Sequence, residues 1–191
     1  LSEIQALQPE LDIYLAFEDP ISWLLLAYIK EELADLYNIE LRLHPLPYSG
    51  RDFFDWSLAT RLSKRTEVAF TPFCRPDSKT VQRMAEVFYQ VEPRRRCDVA
   101  LDMFKQTWTK GKDLSFMPHL APVLADYAID TLTIDATAVQ QKLTENLAQC
   151  EMLAQPNLPV MVLHIAGQRF VFNSLYRVWM IESIFSNVLA Q

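Results

Sequence analysis

Residues 11 to 23 read Leu-Asp-Ile-Tyr-Leu-Ala-Phe-Glu-Asp-Pro-Ile-Ser-Trp, and this stretch decides the fold. Its first part, Leu11 to Phe17, is an apolar and aromatic run with the length of a buried strand. A helix is predicted to follow at once, because Asp19 is a good N-cap and Pro20 suits the first helical position. The free N–H groups of such a helix start attract an anion, a thiolate or a polar substrate group, so we expect any active site here.

A second strand is predicted after this helix, which should end near Asn38. In the segment from Ile39 to Leu46, apolar residues alternate with charged or polar ones, a pattern typical of a half-exposed strand. A strand, a helix and a strand in so short a span indicate a right-handed parallel βαβ unit.

Helices dominate the middle of the chain. Periodic apolar residues predict helices over Lys79 to Val91, Arg94 to Lys110 and Pro118 to Ala128, and the one possible strand is Val68 to Phe70. We therefore interpret residues 51–130 as a helical insertion.

The last part of the chain is predicted to form a helix, two strands and a final helix. The first helix begins at Asp135 and ends near Ala154, and the strands are joined by a tight turn at Ala166-Gly167. The final helix follows Asn173-Ser174, and its predicted apolar face is made by Leu175, Val178, Trp179, Ile184, Phe185 and Val188. The order βαβ, helical block, αββα predicts an α/β sheet with helices on both faces, formed by residues 11–50 and 131–191.

Composition excludes several functions. The chain has 191 residues, half of them hydrophobic, which suffices for one domain with or without an inserted subdomain. A formal net charge of -6 and a pI near 5.1 argue against nucleic acid as a partner. Arg94-Arg95-Arg96 is interpreted as a solvated helix start. With only three glycines, the chain cannot form a P-loop or a dinucleotide-binding glycine loop.

Metal, disulfide and membrane sites also find little support in the sequence. The three histidines lie far apart, and none is at ligand spacing from a cysteine, so no metal is expected. Cys74, Cys97 and Cys150 are an odd number without a Cys-x-x-Cys pair, which favours a reducing, cytoplasmic compartment. The longest apolar run, Ile21 to Ile29, is too short to span a bilayer.

The order of elements resembles the thioredoxin fold in its DsbA-like form, and three segments sharpen that resemblance. Phe17 to Trp23 resembles the Ser-Pro-Tyr-Ser-Trp segment of kappa-class glutathione transferases and of 2-hydroxychromene-2-carboxylate isomerases. Asn157 to Val162 resembles the Leu-Pro segment that carries their cis-proline. Phe172 to Arg177 resembles their Phe-Gly-Ser-Asp-Arg segment.

The resemblance implies a glutathione site formed by these three segments. Asp19 stands where these families have the catalytic serine and where redox-active relatives have their first cysteine, and Ser22 stands at the second cysteine. Leu158 would offer its backbone to the cysteine part of glutathione, beside a cis-proline at Pro159. Ser174 would hold the γ-glutamyl end.

The sequence departs from these families at the positions that carry chemistry. With no cysteine at Asp19 or Ser22, thiol–disulfide exchange is excluded at this site. The Asp19 carboxylate removes the hydroxyl donor that would stabilise a bound thiolate and adds a like charge beside it. Leu175 replaces an aspartate that would pair with the γ-glutamyl ammonium, and Asn173 replaces a glycine. Glutathione activation is therefore expected to be weak.

The roles of Asp19 and Ser22 remain to be assigned. Asp19 is either a helix cap or a general base or cation-binding carboxylate, although a helix N-terminus is expected to depress its pKa and weaken it as a base. Ser22 is interpreted as a first-turn helix residue, because no histidine is placed to activate it.

Two functions remain open for the chain. It is either an isomerase or glutathione transferase acting on a small aromatic or thiol-conjugated substrate, or a redox-inactive protein. The latter would bind a small molecule, peptide or protein in the same groove. A homodimer formed through the aromatic helical block is compatible with the sequence.

Overall fold

The structure is a computed structural model that describes residues 8–50, 55–72, 75–130, 132–155, 157–173 and 177–188. Its strands are β1 (Glu10–Leu15), β2 (Glu40–Pro45), β3 (Val160–Ile165) and β4 (Gln168–Asn173). Its helices are α1 (Pro20–Tyr28), α2 (Trp56–Thr66), α3 (Ser78–Gln90), α4 (Arg96–Phe104), α5 (Met117–Asp126), α6 (Ala136–Met152) and α7 (Trp179–Val188). A 3-10 turn (Pro93–Arg95) precedes α4.

The strands form one sheet in the order β2-β1-β3-β4. β1 is parallel to β2 and antiparallel to β3, which is antiparallel to β4. Leu11, Ile13 and Leu15 of β1 are fully buried on one face, in a core shared with α1 and α7. On the other face, Tyr14 packs in a smaller cluster with Cys150 of α6. The predicted sheet with helices on both faces is confirmed.

The first helix closes near Asn38, as predicted, but its geometry changes along the way. After Tyr28, α1 continues as a π-helical turn over Ile29–Ala34 and then closes through a turn. The N–H of Ile39 donates to the carbonyl oxygen of Ala34 at 2.8 Å, and Asn38 adopts a positive φ of 51°. Asparagine tolerates this left-handed conformation better than most residues, so it closes the helix before the strand.

One helix of the middle block was not predicted. α2 buries only Ala59 and Leu62, and most of its other residues are basic or carry hydroxyl groups, so its apolar face is narrow. The predicted strand at 68–70 is wrong: the segment is a loop. It is anchored because the carbonyl oxygen of Ala69 accepts from the Trp23 indole at 3.0 Å and from the Thr109 hydroxyl at 3.0 Å.

The middle helices pack on the junction between β1 and α1. Phe17 lies 5.4 Å from Phe104 of α4 and 6.3 Å from Phe88 of α3, measured between ring centroids. All three belong to the main core. The division into residues 11–50 with 131–191 and an insertion at 51–130 stays a prediction about domain organisation.

The final helix begins later than predicted. Val178, Ile181 and Phe185 are buried at helical spacing, whereas Trp179 is 64% exposed, so its assignment to the apolar face is wrong. One residue after Val178, its side chain points about 100° away around the helix. Ser174 and Leu175 lie outside the described residues. Within the described ranges, no helix has the length and apolar character needed to cross a membrane.

Candidate functional site

The end of β1, the start of β3 and the end of β4 meet at one end of the sheet. Tyr14 near the end of β1 pairs with Val160 at the start of β3, and Val160 pairs with Asn173 at the end of β4. The N-terminus of α1 follows β1 after residues 16–19, and Pro159 immediately precedes β3. The junction and the Leu158–Pro159 segment therefore lie at the same end of the sheet. Ser174 follows Asn173 but lies outside the described residues.

Asp19 occupies the N-terminus of α1 with its own carboxylate. The N–H of Ile21 donates to Oδ1 at 3.1 Å and the N–H of Ser22 donates to Oδ2 at 3.0 Å. The Ser22 hydroxyl donates to the same Oδ2 at 2.8 Å. Asp19 is only 7% exposed. An anion site of the kind expected at this helix start is thus filled by a side chain of the protein itself.

The pKa of Asp19 differs from the expectation. Burial raises it from 3.8 to about 6, against the lowering effects of the Ser22 hydroxyl and of the N–H groups of Ile21 and Ser22. The predicted depression by the helix N-terminus is therefore wrong, because loss of hydration outweighs the hydrogen bonds. A carboxyl group with this pKa exchanges protons near neutral pH, as a general base or acid must.

Ser22 acts as a structural partner of Asp19. Its hydroxyl accepts from the N–H of Ala16 at 3.2 Å while donating to Asp19, and it is fully buried. No histidine contacts it among the described residues, so nothing there would activate it as a nucleophile.

Glu18 is a site residue that sequence reasoning missed. It is fully buried beside Asp19; the N–H of Ser49 donates to its Oε1 at 2.8 Å, and its Oε2 has no hydrogen-bond partner. A charged residue at the end of an apolar strand was the available signal, since carboxyl groups are rarely fully buried without a partner. Two buried carboxyl groups therefore stand next to each other at the junction.

The Leu158–Pro159 peptide bond is cis. Pro159 is buried and Leu158 is half-buried, in contact with the cluster of Tyr14 and Cys150. The backbone of Leu158 is the group through which this segment would bind a ligand, and that role stays a prediction.

The described cysteines do not supply a thiolate. Cys97 and Cys150 are free, and burial raises their pKa values to about 12 and about 11. At neutral pH both are therefore thiols, which are poor nucleophiles. Neither lies at the N-terminus of α1. Cys74 lies outside the described residues.

Two histidines lie on the sheet rather than at the junction. His44 of β2 and His164 of β3 both contact the Asp12 carboxylate through Nε2, at 2.8 and 2.9 Å. Burial would raise the pKa of Asp12, but the hydrogen bonds and charges of the two histidines lower it overall. In the part of the chain that the structure describes, no group of three His, Cys, Asp or Glu side chains is arranged to hold a metal ion.

No protein-family model and no curated protein sequence matches the chain. Solved structures do match. A 2-hydroxychromene-2-carboxylate isomerase is 17% identical with a TM-score of 0.66, covering 94% of this chain and 96% of that one. The cytosolic disulfide reductase DsbM from Pseudomonas aeruginosa, with GSH, is 12% identical with a TM-score of 0.64, covering 95% and 100%.

A third match, described as a probable DsbA oxidoreductase from Streptomyces coelicolor, is 11% identical with a TM-score of 0.70 and covers 96% of this chain and 91% of that one. At these identities the likeness concerns the fold, which extends over nearly the whole chain. The protein therefore has the DsbA-like thioredoxin fold that its strand-to-helix junction predicts.

Proposed function

We propose that the protein is a redox-inactive member of this fold that binds glutathione or a related thiol conjugate between the α1 N-terminus and Leu158. The observation that carries the proposal is the Asp19 carboxylate, which takes the position and the hydrogen bonds that a thiolate would need. The structure of DsbM with GSH lends support, because the same fold holds that ligand there. Leu158 would pair with the ligand through its backbone, and Ser174 would hold the γ-glutamyl end.

Glutathione is expected to raise the melting temperature more at pH 5 than at pH 8. Above its pKa of about 6, Asp19 is an anion that repels the carboxylates of the ligand, whereas the protonated form can donate a hydrogen bond to sulfur. The Asp19→Ser variant should bind several-fold more tightly than the natural chain at pH 8, measured by calorimetric titration.

An Asp135→Ser variant is the matched control, since Asp135 is an exposed N-cap on α6 and serine also caps helices. It should leave the affinity unchanged. If neither the natural chain nor Asp19→Ser responds to glutathione at either pH, the ligand belongs to another chemical class.

No turnover is expected in an insulin-reduction assay. Thiol–disulfide exchange requires a thiolate, and the N-terminus of α1 presents Asp19 and Ser22 instead. The Cys74→Ser, Cys97→Ser, Cys150→Ser triple variant separates this site from the other thiols. Thiol-dependent activity that persists in this variant would contradict the argument.

A second candidate function is an isomerase in which Asp19 transfers a proton. Its pKa of about 6 favours this, because a group that titrates near neutral pH can both accept and return a proton. Ser22 would orient the carboxyl group through its 2.8 Å hydrogen bond. A thiol-dependent isomerisation of a small aromatic substrate that Asp19→Asn abolishes, without loss of substrate binding, would favour this function over simple binding.

A further inference from the structure

We propose that the edge of β2, the outermost strand on its side of the described sheet, is a docking site for an extended, acidic segment of a partner protein, which adds a strand to the sheet. A groove of about 850 Å³ lies along this edge, and it is lined by β2, by the start of α4 and by α6. Its lining includes Leu41, Leu43, Tyr89, Arg96, Lys142 and Asn146.

Two residues of β2 have backbone N–H and carbonyl groups that point toward this groove. The N–H of Glu40 donates to the carbonyl oxygen of Pro9 at 2.9 Å, and the N–H of Leu46 donates to that of Leu15 at 2.8 Å. Even-numbered residues of β2 therefore point their backbone groups toward β1. Because these groups alternate in direction along a strand, Leu41 and Leu43 point theirs outward.

The outward groups at the two ends of β2 already have partners. The N–H of Ile39 donates to the carbonyl oxygen of Ala34 at 2.8 Å, and the amide of Asn146 donates to the carbonyl oxygen of Pro45 at 2.8 Å. Between them, no hydrogen bond from a described side chain, turn or loop reaches Leu41 or Leu43. Such a gap is what a strand added from another chain would fill.

The charge of the groove selects an acidic partner. Among its lining residues, five cations (Lys30, Arg42, Arg94, Arg96 and Lys142) outnumber two carboxylates (Glu40 and Asp98), in a chain whose net charge is -6. Four of these cations form ion pairs with neighbouring acids at the rim. The pairs of Lys30, Arg94 and Lys142 are exposed and weak, so these cations can exchange partners, whereas Arg42 is held by Glu10 through two hydrogen bonds. No ion pair with a described carboxylate engages Arg96.

Arg96 and Tyr89 both line the groove and contact each other. The guanidinium of Arg96 donates to the carbonyl oxygens of Val91 and Tyr89 and lies 5.3 Å from the centre of the Tyr89 ring. The Tyr89 hydroxyl accepts from Asn146 at 2.9 Å, and its own proton has no acceptor among the described residues. Burial raises the pKa of Tyr89, so the proton stays in place. A carboxylate placed here would accept from both groups.

A fluorescein-labelled peptide in which glutamate and valine alternate tests this proposal, with fluorescence anisotropy on the full chain as the readout. We expect it to bind at least about tenfold more tightly than a matched lysine–valine peptide, because opposite charges at an interface select the partner. N-methylation of alternate peptide bonds should weaken binding similarly, since it removes the donors that pair with a strand edge.

Amide exchange measured by NMR locates the contact. Peptide binding should protect the N–H groups of Leu41 and Leu43, while that of Arg42, which faces β1, should not change. Arg96→Gln should weaken binding about tenfold, as expected for loss of a charge-assisted hydrogen bond. Arg95→Gln is the control, because Arg95 stacks on Tyr127 outside the groove.

Equal affinity for the acidic and basic peptides, or protection on another strand, would overturn the proposal. So would displacement of the labelled peptide by inorganic phosphate as readily as by unlabelled peptide, which would make the groove a site for small anions only.

Discussion

Replacing Phe104 by alanine is expected to lower the free energy of unfolding by about 3–5 kcal/mol, the range found for large-to-small substitutions of buried aromatic residues. Phe104 is fully buried, with its ring centroid 5.4 Å from that of Phe17 and 6.2 Å from that of Trp23. The substitution removes the contacts of α4 with both the end of the first strand segment and the first helix. Urea denaturation followed by circular dichroism measures the loss.

The same experiment tests whether the helical block, residues 51–130, shares one core with the sheet. Because Phe104 packs on the β1–α1 junction, its loss should shift a single cooperative transition of the whole chain. Phe116→Ala is the matched control: this ring is 56% exposed, so the change should stay within about 0.5 kcal/mol. Two separate transitions would show that the block folds independently of the sheet, and equal losses in both variants would contradict the burial of Phe104 in the shared core.

The sheet could be predicted because its signals are local. β1 is a short apolar run, β2 alternates with a period of two, and β3 and β4 flank a tight turn at Ala166-Gly167. The start of α1 could also be predicted, since Asp19 and Pro20 are both typical of a helix start. These signals, placed in order, were enough for the fold.

The chemistry of the junction was less predictable, because it depends on residues distant in sequence. Burial determines the pKa of Asp19, and burial is a property of the tertiary structure rather than of the local sequence. Glu18 could not be placed either, because its partner, the N–H of Ser49, lies 31 residues away in the following loop. Periodicity and motif spacing carry no information about such contacts.

Asp19→Asn is expected to remove a pH-dependent loss of stability of about 3 kcal/mol. The pKa of Asp19 is about 6 in the folded chain, against an ordinary value of 3.8. Each pKa unit corresponds to about 1.4 kcal/mol of difference between the two protonation states, which gives the expected size. Urea denaturation of both chains at intervals between about pH 3.5 and pH 8 measures it.

The raised pKa of Asp19 determines whether stability rises or falls with pH. The folded chain binds the Asp19 proton more tightly than the unfolded chain does, so this proton contributes fully to stability below about pH 3.8. That contribution is lost as the pH rises through about 6. The free energy of unfolding of the variant, minus that of the natural chain, should therefore rise across this window and level off above it.

The lost hydrogen bonds of the cap also lower the free energy of unfolding of the Asp19→Asn variant. The Asp19 carboxylate accepts three hydrogen bonds, whereas the asparagine amide has one oxygen, so the variant loses part of the cap at every pH. Ser22→Ala should shift the window to higher pH, because it removes the hydroxyl that donates to the carboxylate. The slope of the stability difference, rather than its absolute value, is thus the test.

Asp55→Asn provides a control of opposite sign. Asp55 caps α2 at the surface, and hydrogen bonds from the Ser57 hydroxyl and the Leu58 N–H lower its pKa. Its carboxylate therefore stabilises the fold above its ordinary pKa and loses this effect as the pH falls. For Asp55→Asn, the free energy of unfolding of the variant minus that of the natural chain should decrease as the pH rises. If the Asp19→Asn difference were flat, or sloped like that of Asp55→Asn, Asp19 would titrate as a solvated cap. The buried proton on which the isomerase candidate depends would then be absent.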